Sequence, residues 1–151
     1  MEFSPQQITS RIDDPVKSPR RILVIDDDAS VGAAIEAILC RRQCQTVVAP
    51  RSVAGIQALQ ESHFDVVMLD IFMPGLCGLD ALDHIRRGSP IPIIAMSGFR
   101  LQSSADRVDY LTMAARRGAT LCMRKPFTAA ELIKAIDWTS SLQNQNAGLP
   151  H

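Results

Sequence analysis

Two rhythms of apolar residues alternate along the chain. Arg21-Ile-Leu-Val-Ile25 is a short branched run stopped by Asp26, Asp27 and Asp28, which predicts a buried strand. Val31, Ile35, Ile38 and Leu39 follow at helical spacing, with Asp28 placed to cap the first turn. The same pairing recurs: Thr46–Ala49 then Val53, Ile56 and Leu59; Phe64–Leu69, ending on Asp70, then Leu79, Leu82 and Ile85. Pro90–Met96 predicts a fourth strand whose early part Pro92 confines to the edge or the beginning. Val108, Leu111 and Ala115 mark a fourth helix closed by Gly118. Ala119–Met123 is the fifth strand, and Leu132 and Ile136 lie on a fifth helix running to about Leu142.

Five strand–helix units in succession specify an α/β, doubly wound parallel sheet covered by helices on both faces. They occupy about residues 21–142. Residues 1–20 carry Pro5, Pro15 and Pro19 among polar residues without a sustained apolar period, and are expected to be disordered. Residues 143–151 are polar and are expected to form a flexible tail.

Composition narrows the class further. The 151 residues are 46% hydrophobic and 21% charged, with 16 Lys+Arg balancing 16 Asp+Glu. At this length folding buries roughly two thirds of the unfolded surface, enough for one core. Zero net charge argues against direct nucleic-acid or membrane-surface binding, which draws on a basic excess. The N-terminus has no apolar signal region and no run approaches a membrane span, so the expected location is cytoplasmic. Cys40, Cys44, Cys77 and Cys122 form no CxxC pair and read as reduced thiols, mostly packing.

Chemistry concentrates where strands end. In an open parallel sheet, ligands bind outside the carboxyl ends of the strands where strand order reverses. In the flavodoxin-like order 2-1-3-4-5, Asp26 and Asp27 after the first strand neighbour Asp70 after the third. Carboxylates about 4 Å apart repel by roughly 4 kcal/mol at an effective dielectric near 20, so the trio calls for a cation. A hard divalent ion such as Mg²⁺ suits such oxygens. The plainer alternative is that Asp26, Asp27 and Asp28 cap a helix and face solvent. Against it, Ser97 and Gly98 end the fourth strand and Lys125 the fifth, supplying a hydroxyl, an unobstructed N–H and an ammonium for phosphoryl oxygens.

These residues resemble the response-regulator receiver domain of two-component signalling, over about residues 21–141. The resemblance rests on Ile22-Leu-Val-Ile-Asp-Asp-Asp28, on Asp65-Val-Val-Met-Leu-Asp-Ile-Phe-Met-Pro-Gly75 with Gly78, on Met96-Ser-Gly98, and on Gly118-Ala119 leading to Lys125-Pro-Phe127. It implies that Asp70 accepts a phosphoryl group from phosphohistidine. It also implies that Asp27 ligates Mg²⁺, for which Mn²⁺ can substitute, together with Asp70 and the Phe72 carbonyl, while Asp26 holds a metal-bound water. Ser97, Gly98 and Lys125 would contact the phosphoryl group, and the Lys125–Pro126 bond would be cis. The implied partners are a sensor histidine kinase or histidine phosphotransfer protein and a downstream protein target; a homodimer on phosphorylation is compatible with the pattern.

Two departures from the family pattern stand out. Phe72 and Phe99 occupy the positions flanking the route of the hydrolytic water, and are expected to lengthen the life of the aspartyl phosphate. Cys122 stands where the family usually has an aromatic ring that swings inward with the fourth-strand hydroxyl. Readout through Ser97 and that ring is therefore in doubt, and a backbone shift of the long segment from Phe99 to Arg117 is the expected substitute. Its arginines read either as a solvated face or as a partner surface. Only a short tail follows the fifth helix, so the expectation is a stand-alone receiver, though one excised from a larger regulator would look alike. Two alternatives stand beside it: a phosphorylation-independent adaptor, and a haloacid-dehalogenase-like phosphohydrolase using the aspartates after the first strand.

Overall fold

The computed structural model describes residues 20–73, 77–98 and 109–147, with backbone only for 144–147. It contains β1 (Arg20–Ile25), α1 (Ala29–Cys40), β2 (Cys44–Ala49), α2 (Ser52–Glu61), β3 (Val66–Asp70), α3 (Gly78–Gly88), β4 (Ile93–Gly98), α4 (Tyr110–Arg116), β5 (Leu121–Lys125) and α5 (Ala129–Ala147). The five strands form one parallel sheet in the order β2-β1-β3-β4-β5, as the strand–helix alternation predicts.

Strand periodicity divides the core into two layers. Leu23, Ile25, Val67, Leu69, Ile93 and Ala95 point to one face, beneath Leu79, Leu82 and Ile85 of α3 and Leu111 and Ala114 of α4. Ile22, Val24, Val66, Met68, Ile94 and Met96 point to the other, beneath Ile35 and Leu39 of α1 and Leu132 and Ile136 of α5. β3 is buried along its whole length, as a central strand covered on both faces must be.

Local chemistry sets the boundaries. Asp28 caps α1 as expected, accepting from the Ser30 N–H at 2.9 Å. β4 starts at Ile93, directly after Pro92, which has no N–H to give the ladder but accepts from the Val67 N–H at 2.9 Å. α4 ends at Arg116, followed by Gly118 at φ +106°, the left-handed conformation that a helix stop favours. Arg86 ties two connections together: its guanidinium donates to the carbonyls of Ser89 at 3.2 Å and Ile91 at 2.7 Å before β4, and of Gly118 at 2.6 Å before β5.

Several expectations need correction. β5 begins at Leu121 rather than Ala119, because the Ala119 N–H is taken by the Ala114 carbonyl at 3.0 Å in the turn that leaves α4. α5 continues past Leu142 to Ala147, so residues 143–147 are helical rather than a flexible tail. Polar residues such as Gln extend a helix without an apolar stripe to announce it. Not all cysteines pack: Cys40 and Cys77 are exposed, while Cys44 and Cys122 are half-buried, and all four are free thiols. Residues 1–19, Phe99, Arg100, Arg107, Val108 and residues 148–151 lie outside the described residues, and with them the N-terminal expectation and most of the long segment after Ser97. No helix among the described residues is long and apolar enough to cross a membrane.

Gly78 joins the fold to the crevice at the sheet edge. Its N–H donates to the Ile71 carbonyl at 3.2 Å, and a Cβ there would overlap the Ile71 Cα and the carbonyl oxygens of Asp70 and Ile71. Backbone cannot rotate aside as a flexible side chain can. Gly78→Ala should therefore destabilise the domain by about 3 kcal/mol. Gly88→Ala, in the same helix but with open space around its Cβ, should be neutral or slightly stabilising. Urea denaturation midpoints of the two variants test the difference.

Candidate functional site

The alternation that builds the core also aims the polar residues at the strand ends. Asp26 continues the β1 positions of Ile22 and Val24, Asp70 those of Val66 and Met68 on β3, and Lys125 that of Met123 on β5. All three therefore emerge toward the α1 and α5 side of the sheet, at its carboxyl edge. The Lys125 Nζ lies 2.8 Å from Asp26 Oδ2 and 3.3 Å from Asp70 Oδ2, bridging the two carboxylates.

The remaining carboxylate oxygens are held by the main chain. Asp26 Oδ1 accepts the Asp28 N–H at 2.9 Å, and Asp70 Oδ1 accepts the Phe72 N–H at 3.0 Å. The sheet ladder runs on beneath them, with the Asp26 N–H donating to the Ala49 carbonyl at 3.1 Å and the Ile71 N–H to the Met96 carbonyl at 2.9 Å. Asp26 and Asp70 are 1% and 3% exposed, so neither is a solvated surface charge. Asp27 is exposed, and a carboxylate oxygen of each of Asp26, Asp27 and Asp70 lies within 4.8 Å of the others. Of the three aspartates in the solvent-facing alternative, Asp27 and Asp28 are exposed and Asp28 caps α1, but Asp26 is buried and bound to Lys125.

Three carboxylates and one ammonium leave the cluster formally two negative charges in excess. An all-oxygen donor set of this charge fits a hard divalent cation, and Asp26, Asp27 and Asp70 have the donor chemistry to hold one.

The remaining predicted residues are placed as follows. Ser97 is buried at the end of β4, one position beyond Met96, the cross-strand partner of Asp70. Its hydroxyl donates only a long contact of 3.4 Å to the Gly98 carbonyl. Gly98 pairs with Lys125 across β4 and β5, and nothing lies within 4 Å of where its Cβ would be. The Lys125–Pro126 bond is cis. Cys122 faces the other way from Lys125, half-buried against the α4 layer, its thiol directed at the Leu111 carbonyl 3.4 Å away. The half-buried Phe72 meets Tyr110, the first residue of α4, edge to face with ring centroids 4.4 Å apart. Sequence reasoning passed over Tyr110: it lies far along the chain from Phe72 and outside every motif. Phe99 lies outside the described residues.

The family described as the response regulator receiver domain matches residues 22–137. The chain belongs to the receiver family. Receiver domains are phosphoacceptors of His-to-Asp transfer rather than turnover enzymes, and the acidic cluster is of the kind that serves this transfer. The chain is 36% identical over 122 residues to the transcriptional activator protein PfeR of Pseudomonas aeruginosa, covering 81% of this chain and 38% of that one. It is 34% identical over 112 residues to the uncharacterized transcriptional regulatory protein YrkP of Bacillus subtilis, covering 74% and 46%. It therefore spans less than half the length of these curated relatives. A receiver domain protein from Clostridium thermocellum superposes with a TM-score of 0.74 at 29% identity, covering 83% of this chain and 98% of that one.

The electrostatics of the receiver site carry a pH signature. Burial is the main cause that pushes Asp70 up to about 6, with the neighbouring Asp26 adding to it; the Phe72 N–H and Lys125 pull the other way. Burial also opposes the charge on Lys125, but the hydrogen bond to Asp26 and the fields of Asp70 and Asp26 outweigh it and hold Lys125 above its ordinary value. An unfolded Asp70 ionises near 4, the folded one near 6, so between these values the native state binds the extra proton. Stability is thus expected to fall as pH rises from about 4 to about 6 in metal-free protein. Two pH units represent about 3 kcal/mol, of which about half is expected after solvent screening at the crevice mouth. Asp70→Asn should remove this slope and raise stability at pH 7, as measured by urea denaturation in EDTA.

Proposed function

We propose that Asp70 is the phosphoacceptor and that phosphohistidine, on a sensor histidine kinase or a histidine phosphotransfer protein, is the donor. The observation that carries this reading is the Lys125 ammonium shared between Asp26 and Asp70 beside a third carboxylate. A carboxylate is a weak nucleophile, but phosphoryl transfer passes through a loose transition state, so positioning and charge neutralisation supply most of the catalysis. A bond forms between an Asp70 oxygen and phosphorus as the phosphorus–nitrogen bond of the donor breaks and the imidazole leaves with the bonding pair. Lys125, Ser97 and Gly98 receive the phosphoryl oxygens. Mg²⁺, with Mn²⁺ as substitute, would be held by Asp26, Asp27, Asp70 and the Phe72 carbonyl. It would supply the positive charge that lets a phosphoryl dianion approach an acidic cluster. The product is a mixed anhydride whose formation and loss switch protein contacts, in a cytoplasmic setting where kinase and target meet it.

The alternatives fit less well. A dehalogenase-like hydrolase needs an acid near Asp26, but the Asp28 carboxylate is committed to the Ser30 hydroxyl and N–H at 2.5 and 2.9 Å. Those hydrogen bonds hold it below its ordinary carboxylate range, the wrong direction for a proton donor. A phosphorylation-independent adaptor would have no use for two buried carboxylates tied to a lysine.

Incubation with Mg²⁺ and acetyl phosphate, followed by intact mass measurement, should show addition of one phosphoryl group to the wild type and none to Asp70→Asn. Unmodified wild type would sink the assignment. Phe72 and Phe99 are proposed to impede the hydrolytic water. Phe99→Ala is then expected to speed loss of the phosphoryl group by about tenfold, a modest fraction of what water positioning contributes. An unchanged decay rate would remove that role.

A further inference from the structure

The site has a physical route out of the crevice that does not pass through Cys122. The Phe72 N–H is hydrogen-bonded to the phosphoacceptor itself, at 3.0 Å from Asp70 Oδ1, and the ring of the same residue packs edge to face on Tyr110. Main chain and side chain of Phe72 therefore touch opposite ends of one short connection, from the reacting carboxylate to the first residue of α4. Position 122, where an aromatic ring would otherwise make such a connection, carries a thiol turned to the Leu111 carbonyl.

α4 is suited to receive a signal. It has seven residues, too few to sustain a helix alone, so its position depends on what grips it. At its start Asp109 caps it, accepting from the Leu111 N–H at 3.2 Å and the Thr112 hydroxyl at 2.6 Å. Arg124 of β5 approaches Asp109 at 3.9 Å. At its end Arg117 pairs with Asp83 of α3 at 3.0 Å. Its buried side chains are Leu111 and Ala114. Tyr110 and Met113 also pack on the core, and among the described residues the aromatic pair is the contact of the first turn that leads to Asp70.

We infer that Tyr110 is the readout residue of this domain: the state of Asp70 is transmitted through the Phe72 main chain and ring to the first turn of α4. The inference rests on Asp70 being the phosphoacceptor. Conversion of the carboxylate to an acyl phosphate removes its full charge and weakens it as an acceptor for the Phe72 N–H. The main chain at 72 then resettles, and the ring carries the change to Tyr110. Because the link is ring to ring, it needs the aromatic face and not the phenol hydroxyl.

Amide hydrogen exchange of residues 110–117 tests this, in the full chain with and without Mg²⁺ and acetyl phosphate, alongside intact mass. Wild type should take up the phosphoryl group and change exchange in α4 by about two- to tenfold, the range one aromatic pair can couple. Tyr110→Ala should take up the group equally and lose that change; Tyr110→Phe should keep both. Equal uptake with the exchange change intact in Tyr110→Ala overturns the inference while leaving Asp70 as acceptor. So does loss of the change in Tyr110→Phe, which would assign the link to the hydroxyl. Absence of uptake by wild type overturns the acceptor assignment and this inference with it, and the mass spectrum tells that outcome from the others.

Discussion

Two buried carboxylates sharing one lysine is the constraint on which the rest of the structure turns. Carboxylates in low-dielectric surroundings cost several kcal/mol unless paired and hydrogen-bonded. Asp26 and Asp70 meet that condition only because β1, β3 and β5 end at the same edge of one sheet and turn their last side chains to the same face. The Lys125 ammonium serves both at once, and the Asp28 and Phe72 N–H groups occupy an oxygen on each. Even so, one ammonium does not balance the cluster, and burial, with Asp26 adding to it, pushes Asp70 up to about 6. A site in this condition is primed for a divalent cation and a phosphoryl group: the interactions missing from the free state are those that loading supplies. Activity and instability here have one cause.

Much of this was legible in the sequence because both relevant periods are short. Short apolar runs sufficed to place the strands, and the polar residues on which they stop, Asp26, Asp70 and Lys125, fall together at the carboxyl edge of the sheet. Asp28 as a cap and Gly118 as a helix stop were equally local. What escaped was set by contacts between distant segments or by residues without an apolar period. The start of β5 depends on Ala119 being used by the Ala114 carbonyl, and the length of α5 on polar residues whose helicity no burial pattern reports. The need for glycine at 78 becomes physical only when the Asp70 and Ile71 carbonyls are seen against it. Tyr110 had no signal at all, since nothing in its neighbourhood points to Phe72.

The two ends of α4 are held by different chemistry. Its C-terminal end is fastened to α3 by charge: Arg117 to Asp83, and Arg86 to the Gly118 carbonyl. Arg86 is partly buried, which lowers its hold on the proton without bringing it near neutrality, so this clasp is indifferent to pH in the working range. The N-terminal end rests on the Phe72–Tyr110 contact, the Asp109 cap and the distant Arg124. Among the described residues, charge holds the C-terminal end, while ring packing, the Asp109 cap and the buried Leu111 hold the N-terminal end. The N-terminal end is the one tied through Phe72 to Asp70, so it is the end on which the inferred change at Asp70 acts.

That geometry explains how a domain with cysteine at 122 can still have an output. A ring swinging into a vacated space reports by packing, and a thiol half-buried under Leu111 has neither the volume nor the reach to do so. Burial first, and Asp109 second, push this thiol above its ordinary value, so it is a packing group and not a charge that could respond to phosphorylation. The connection through Phe72 needs no vacated space, because both of its contacts already exist in the unphosphorylated state. It transmits by altering the balance between formed contacts, as a two-state element does when a ligand binds its states unequally. The inferred change then falls on the first turn of α4 with the adjoining edge of β5, where Asp109, Thr112 and Arg124 are exposed.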